Sequence, residues 1–354
     1  MLDGMFERAW LHKGLLALAL WPVSLVFGAL GAARRRLYHA GILRVRAVRA
    51  VVIVVGNVVA GGAGKTPAVI ALVRHCQAQG WVVGVISRGY GRSGTGCVEV
   101  FERSPVELVG DEPLLIKRKT GAPVVVGPIR AQAASVLLEA HPATQIIFSD
   151  DGLQHYELAR DLEVCVFDDR GLGNAMLLPA GPLREPWPRG TTAPWNRSMA
   201  PKQAPPFPGL ILHTGRNPAF AGFSGARSLA PEGILADGTA LPLTKLPAAQ
   251  IVAVAGIARP EAFFVMLRER GLELASTMAL PDHHDFAHWT RPIAGSYTLL
   301  CTEKDAPKLW PLEPAAVAVP LLFVPEPAFF AAFDHQVRAL LDARLSSADG
   351  RTIT

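Results

Sequence analysis

Val51–Thr66, VVIVVGNVVAGGAGKT, is the stretch from which the rest of the chain can be read. Five apolar residues, Val51–Val55, fit a buried parallel strand; Gly56 closes it, and Gly61, Gly62 and Gly64 leave the following loop without Cβ atoms. Such a loop turns several N–H groups inward around a phosphate. Lys65 then reaches the β- and γ-phosphate oxygens, Thr66 offers its hydroxyl to Mg²⁺, and the next helix points its positive end at the anion. That helix is legible in Val69, Leu72, Val73 and Cys76, with Pro67 tolerated in its first turn. The expected nucleotide cradle is therefore Gly61, Gly62, Ala63, Gly64, Lys65, Thr66 and Pro67. Val59 stands where the phosphate-loop pattern asks for glycine, but the residues that touch phosphate are intact. Ala60 stands where the membrane-associated partitioning ATPases carry an extra lysine, which argues against that class.

The chain has 354 residues, enough for two domains with their own cores, and 50% of them are hydrophobic. Thirty-five Lys and Arg against 30 Asp and Glu give a net charge of +5. This mild surplus suits phosphate ligands or an anionic membrane surface and leaves no nucleic-acid footprint. No obligate protein partner is evident. Cys76, Cys97, Cys165 and Cys301 are single and widely spaced, so they suggest neither a zinc site nor a disulfide framework and fit a reducing cytosol.

Between Lys13 and Arg34 lie twenty uncharged residues, GLLALALWPVSLVFGALGAA, followed by Arg34, Arg35 and Arg36. Their number suits a bilayer span. Pro22 interrupts the run and basic residues flank both ends, which favours a helix lying in the cytosolic leaflet. A spanning helix and a soluble core helix are the alternatives. A signal peptide is disfavoured, since it would carry the phosphate loop out of the cytosol.

Further apolar runs follow at Val82–Ile86, Val124–Val126, Ile146–Phe148, Val164–Phe167, Leu210–Leu212, Ile251–Val254, Leu299–Leu300 and Val319–Val324, with helical patterns at Arg130–Ala140 and Glu261–Arg270. Strands alternating with helices imply an α/β fold of the phosphate-loop NTPase type, a mostly parallel sheet flanked by helices, with ligands beyond the carboxyl ends of the strands. A smaller α/β domain is expected to follow. The expected divisions are a membrane-associating helical segment over 1–44, a phosphate-loop core over 45–214, a hinge over 215–248 around the Asp237-Gly238 turn, and the smaller domain over 249–354. The Pro- and Gly-rich segment from Leu178 to Pro208 is expected to be a long functional loop. Gly89–Gly94 reads GxGxxG after a strand, but the residues that follow do not form a helix, so a dinucleotide fold is not implied.

Phosphoryl transfer needs a metal-holding acid, cationic clamps and a base near the acceptor hydroxyl. Asp150 and Asp151 end one apolar run and are preferred for the metal over the rival pair Asp168 and Asp169, because Gly152, Gln154 and His155 extend their polar site. Arg88 and Arg92 read as anion contacts from a loop or as a solvated face. Asp111 and Glu112 open an apolar helix, where a plain N-cap is the simpler reading. In Pro281–Asp285, PDHHD, a histidine paired with a carboxylate for proton transfer is more economical than a metal site.

In order along the chain, GNVVAGGAGKTP, SRGYGR, VGDEP, DDGLQH, LLPAGPLRE, AGIARP, PDHHDF and TEKDAPK closely resemble the tetraacyldisaccharide 4′-kinases, the lipid A kinases of Gram-negative bacteria. The resemblance runs from about residue 10 to 340. It implies transfer of the ATP γ-phosphate, with Mg²⁺, to the 4′-hydroxyl of a tetraacylated glucosamine disaccharide 1-phosphate at the cytosolic face of the inner membrane, giving lipid IVA. It further implies that Lys65 and Thr66 serve phosphate and metal, that Asp150 and Asp151, with Glu112, form the acidic metal site, and that Asp111 and His283 act together as the base. Arg88, Arg130 and Arg184 match basic residues in or near the active site. Two other classes compete, a nucleotide-switched membrane scaffold and a soluble small-molecule kinase. GTP-dependent switches carry an NKxD motif, which Thr302–Asp305 matches only in its last two residues.

Overall fold

The structure is a computed structural model and describes residues 10–187, 209–246, 250–290 and 296–349. It opens with helix α1 (Leu15–His39). The first sheet then takes β1 (Val51–Gly56), β2 (Val83–Ser87), β3 (Val98–Val100), β4 (Val124–Val126), β5 (Ile146–Asp150), β6 (Leu162–Phe167), β7 (Gly209–His213) and β8 (Phe223–Leu229). Between these strands lie α2 (Lys65–Ala78), α3 (Val106–Val109), α4 (Asp111–Thr120) and α5 (Arg130–Ala140). A second sheet takes β9 (Glu232–Ile234), β10 (Ala240–Pro242), β11 (Gln250–Ala255), β12 (Leu274–Ala279), β13 (Tyr297–Thr302) and β14 (Val317–Val319), with α6 (Pro260–Glu269) and α7 (Ala306–Leu309) between them. The chain closes with β15 (Leu321–Pro325) and α8 (Pro327–Asp349).

The first sheet runs in the order β15-β8-β7-β6-β1-β5-β2-β4-β3. Every pairing from β4 to β8 is parallel, and antiparallel β3 and β15 edge it. β1 and β5 lie inside this sheet with both faces covered, which is why Val51–Val55 and Ile146–Phe148 are unbroken apolar runs without alternation. One face packs on α2 through Val69, Leu72 and Val73, the other on α5 through Ala134 and Leu137. TGCVEVFE supplies edge strand β3 and no helix, as the sequence implies. The second sheet, β10-β9-β14-β13-β11-β12, has a parallel centre and a core around Ala253, Phe264, Leu300 and Val319.

The run Val319–Val324, which reads as one strand, is two. Pro320 has no N–H for the ladder, and the chain changes sheet there, from β14 to β15. A second crossing lies beside it, where Ala230 donates its amide to Pro320 O (2.8 Å) between β8 and β9. The division expected at 215–248 and 249–354 therefore changes. Residues 223–229 belong to the first sheet, 232–242 to the second, and from Leu321 the chain returns to the first. The cause is apolar: Phe329, Phe333 and Val337 on α8 find cover in the first core, where His75 also pairs with Asp334 (2.7 Å). The hairpin at Asp237-Gly238 forms, with Gly238 at φ +88°. Of the long loop expected from Leu178 to Pro208, residues 188–208 lie outside the described residues.

Helix α1 buries only Ala17 and Ser24, so the soluble-core alternative does not hold. Leu15, Leu18, Trp21, Val26 and Leu30 are exposed. One stripe touches the body: Ser24 Oγ donates to Leu177 O (2.9 Å) and accepts from the Ala180 amide (2.9 Å). Ten residues on, Arg34 donates to Gln154 O (3.4 Å) and lies over the Tyr38 and Tyr156 rings.

Candidate active site

The phosphate loop leaves β1 at Gly56 and enters α2 at Lys65. Its carbonyls are held from outside: Arg170 donates to Ala60 O and Gly62 O (3.4 Å each), Arg227 to Ala63 O (3.0 Å) and Thr214 Oγ1 to Ala63 O (2.7 Å). With the carbonyls turned outward, the loop amides and the first turn of α2 are left for an anion. Gly64 sits at φ +82°, and a Cβ there would meet Arg227 Nη2 at 2.0 Å, so this position requires glycine. Val59, by contrast, is buried and extended in an isolated antiparallel bridge to Leu183, and this explains why a β-branched residue is accepted in the motif. Lys65 Nζ donates to Asn57 Oδ1 (3.2 Å) and lies 3.6 Å from Asp151.

β5 delivers Asp150 and Asp151 beside this loop. Asp150 is fully enclosed; Oδ2 accepts from Ser87 Oγ (3.1 Å), while Oδ1 is buried without a hydrogen-bond partner. Burial first, then the charges of Glu112 and Asp151, raise its carboxyl to about 7. An enclosed acid with an unpartnered oxygen, near enough to Lys65 to feel its charge, has the chemistry that suits a hard cation. Asp151 takes a left-handed backbone (φ +47°) and is occupied by Arg184 (3.0 Å) as well as Lys65. Burial opposes its charge, but the two cations outweigh burial and hold it below the usual carboxylate range. No three His, Cys, Asp or Glu side chains converge on one point among the described residues, so protein groups do not complete a cage. Mg²⁺ characteristically takes one or two protein ligands and its remaining oxygens from phosphate and water.

The arginines separate into different positions. Arg88 is exposed on the loop after β2. Arg130 is buried, donating to Gly127 O (3.0 Å) and Asp150 O (3.1 Å), so it braces the end of β5. Arg184 lies half-buried on Asp151. The rival Asp168 is pinned by Arg170 (3.0 Å) and Arg259 (3.2 Å), and Asp169 caps the Asn217 amide (2.7 Å). His155 is kept neutral, since burial and the nearby Arg130 and Arg88 push it down to about 3.

Across the cleft, loops of the second sheet face α4. Asp111 is the first residue of α4 and accepts from the next amide, Glu112 N (2.9 Å), but Gly110 holds the N-cap position and no side chain caps the helix, so the plain N-cap reading does not hold. Its carboxylate also meets His283 Nδ1 at 3.0 and 3.1 Å, from a residue 172 positions away. Burial works against the charge, yet His283, Lys304 and Lys308 bring the carboxyl down to about 2. His283 is left-handed (φ +61°), and its ring lies 4.8 Å from Tyr90. His284 instead accepts from the Phe286 amide (3.0 Å) and stabilises the local turn. Glu112 faces Lys304 (3.5 Å). Between the two sides lies a cavity of about 370 Å³, lined by Lys65, Thr66, Ile70, Phe263, Met266 and Lys304 among others.

Asn57, Arg227 and Lys308 carry parts of this site without having been singled out for a role in the sequence. Asn57 follows a strand end in an otherwise apolar run, which is a usable signal; Arg227 on β8 gives none, because only the tertiary fold brings it to Ala63.

A family model described as "Tetraacyldisaccharide-1-P 4′-kinase" matches residues 16–345. The chain is 54% identical over 334 residues to a tetraacyldisaccharide 4′-kinase of Acidovorax sp. (strain JS42), covering 94% of each. It is 53% identical over 351 residues to one of Polaromonas naphthalenivorans, covering 98% of each. In fold it is similar to the crystal structure of the "apo" form of LpxK from Aquifex aeolicus in complex with ATP, with a TM-score of 0.72 and 26% identity over 91% of this chain and 99% of that one. Loop, acid pair and cross-cleft pair thus stand on a fold and a sequence with one source: the chain belongs to the tetraacyldisaccharide-1-P 4′-kinase family.

Proposed function

We propose that this protein transfers the γ-phosphate of ATP to the 4′-hydroxyl of a tetraacylated glucosamine disaccharide 1-phosphate at the cytosolic face of the inner membrane. The observation that supports this mechanism is the Asp111–His283 contact, whose chain neighbours Glu112 and Asp282 line the same cavity as Lys65 and Thr66. The loop amides and Lys65 hold the β- and γ-phosphates, and the apolar wall of Ile70, Phe263 and Met266 leaves room for the nucleoside. Thr66 and Asp150 are the residues that would hold Mg²⁺; bound there, the ion would neutralise charge on the transferring phosphoryl group. Asp111 stays ionised, accepts from His283 Nδ1–H and leaves the Nε2 lone pair for the acceptor proton. Arg88 at the mouth and Arg184 beside Asp151 are placed to meet anionic groups of the substrates.

Helix α1 serves the acylated acceptor. It touches the body at Ser24 and again at Arg34, about 15 Å along its axis, so it lies alongside the protein and its exposed apolar face suits the leaflet surface better than a span. The test is ATP turnover with and without a detergent-dispersed acylated disaccharide 1-phosphate, with the product's phosphate located by mass spectrometry. ADP formation that requires the disaccharide, with a 4′-phosphorylated product, supports the assignment. ATP hydrolysis indifferent to the lipid contradicts it and favours a nucleotide-switched scaffold.

A further inference from the structure

The run Thr302–Lys308, TEKDAPK, ends β13 with a turn whose lysines so far enter only as charges that keep Asp111 ionised. Thr302 Oγ1 and the Gly256 amide both donate to Asp305 Oδ2 (2.6 and 2.9 Å), and this turn aims two lysines at α4. Lys308 Nζ lies 3.2 Å from Asp111 Oδ2. Lys304 Nζ lies 3.0 Å from Asp282, 3.5 Å from Glu112, 3.9 Å from Asp111 and 3.3 Å from His283 Nε2.

The last contact constrains the imidazole. An ammonium has donors only, so Nε2 must present its lone pair to Lys304 while Nδ1–H donates to Asp111. A carboxylate alone at Nδ1 favours the imidazolium; a cation at Nε2 opposes it. The charged or titratable groups facing the ring are Asp111 on α4 with Lys308 behind it, Lys304 from the β13 turn, Asp282 on its own loop (3.8 Å from Nε2) and Tyr90 at the ring face. We propose that Lys304 is a positioning residue of the phosphoryl transfer: it fixes the His283 tautomer whose Nε2 carries the lone pair, until the acceptor hydroxyl takes its place at that nitrogen. The acceptor O–H bond then breaks, its proton goes to Nε2, the oxygen bonds to the γ-phosphorus, and the bond to the β–γ bridging oxygen breaks with its electron pair leaving on ADP. Displaced from Nε2, the ammonium still has Asp282 and Glu112 within reach.

This inference rests on the reading of Asp111 and His283 as the base, so its test separates the two. kcat/KM for transfer is measured against pH for the wild type, Lys304→Met, Lys304→Arg and His283→Ala. The His283 ring resonance is followed over the same pH range in substrate-free protein, assigned by comparison with His283→Asn. In Lys304→Met the acid limb of the rate profile is expected to move up by roughly one pH unit or more, with the rate recovering at high pH. The ring resonance should move in the same direction, and Lys304→Arg should return both toward the wild-type position. Should Lys304→Met lose its fold in a thermal melt, Lys304→Gln carries the same comparison. An unmoved resonance, or a loss that is uniform across pH or tracks the folded fraction, overturns the proposal while leaving the base reading in place. Full turnover by His283→Ala overturns both.

Discussion

The phosphate loop lines the cavity, the Asp111–His283 pair stands next to Glu112 and Asp282 on its wall, and the two are built in opposite ways. The loop is local, a contiguous run whose shape is set by Gly64 at positive φ and by carbonyls tied to Arg170, Arg227 and Thr214. The pair is tertiary, made of residues 172 positions apart, Asp111 at the start of α4 beside the first sheet and His283 on a loop of the second, at a left-handed turn position. The anion site can therefore be complete in the first sheet alone, whereas the base exists only while the second sheet is held against α4.

The largest effect that would sharpen this contrast is at Lys65. Removing its cation should cost on the order of 10³-fold or more in transfer, while the fold persists. A Lys65→Ala rate within a few-fold of wild type would break the loop side of the comparison. Next is Arg227, which holds the loop through Ala63 O and through Thr214 Oγ1. Losing a hydrogen bond from a charged donor should raise the ATP KM by about tenfold in Arg227→Met, with a smaller change in kcat, measured by steady-state titration.

Asp150 gives a pH-dependent prediction of smaller size. Its carboxyl sits at about 7 in the fold and near 3.8 when free, so the folded state binds the extra proton. Stability from that proton is full below about pH 4, declines as pH rises and is gone above about pH 7, where burial and the charges of Glu112 and Asp151 outweigh the attraction of Lys65 and Arg130. Without Mg²⁺, Asp150→Asn should therefore melt several degrees higher than wild type at pH 8 and close to it at pH 4. Adding Mg²⁺ and ATP at pH 8 should close the gap by stabilising only the wild type. Equal melting temperatures at pH 8 without metal would show that Asp150 is not poised for a cation.

The smallest effect on the site should come from α1. Replacing exposed Leu18, Trp21, Val26 and Leu30 by serine keeps the Ser24 dock, so ATP affinity should change less than about twofold while the protein moves from the membrane to the soluble fraction. A large loss of ATP affinity would tie the helix to the nucleotide site.

What the sequence discloses follows the same division. Val51–Thr66 and the unbroken strands around it are legible because buried parallel strands and Cβ-free loops leave a local mark. The preference for Asp150 over Asp168 is an expectation drawn from the polar residues that follow Asp150; in the fold, two arginines occupy Asp168. Pro320 lies inside an apolar run, and only the two sheets, which take Val319 into β14 and Leu321 into β15, show that the run divides. α8 returns to the first core because its phenylalanines need a partner that no pattern within the helix identifies. Arg130, a basic residue near the site, proves to be a buried brace because its donors match the carbonyls of Gly127 and Asp150.

The central claim is that Asp111 and His283 work as one base assembled from two sheets, and a double-mutant cycle on kcat tests it. Asp111→Ala and His283→Ala should each lose about 10²–10⁴-fold. Because each partner is useless without the other, the double variant should be scarcely slower than the poorer single one, with ATP affinity close to wild type in all three. Losses that multiply in the double variant, or an Asp111→Ala protein that melts lower yet turns over normally at a permissive temperature, would contradict a shared base.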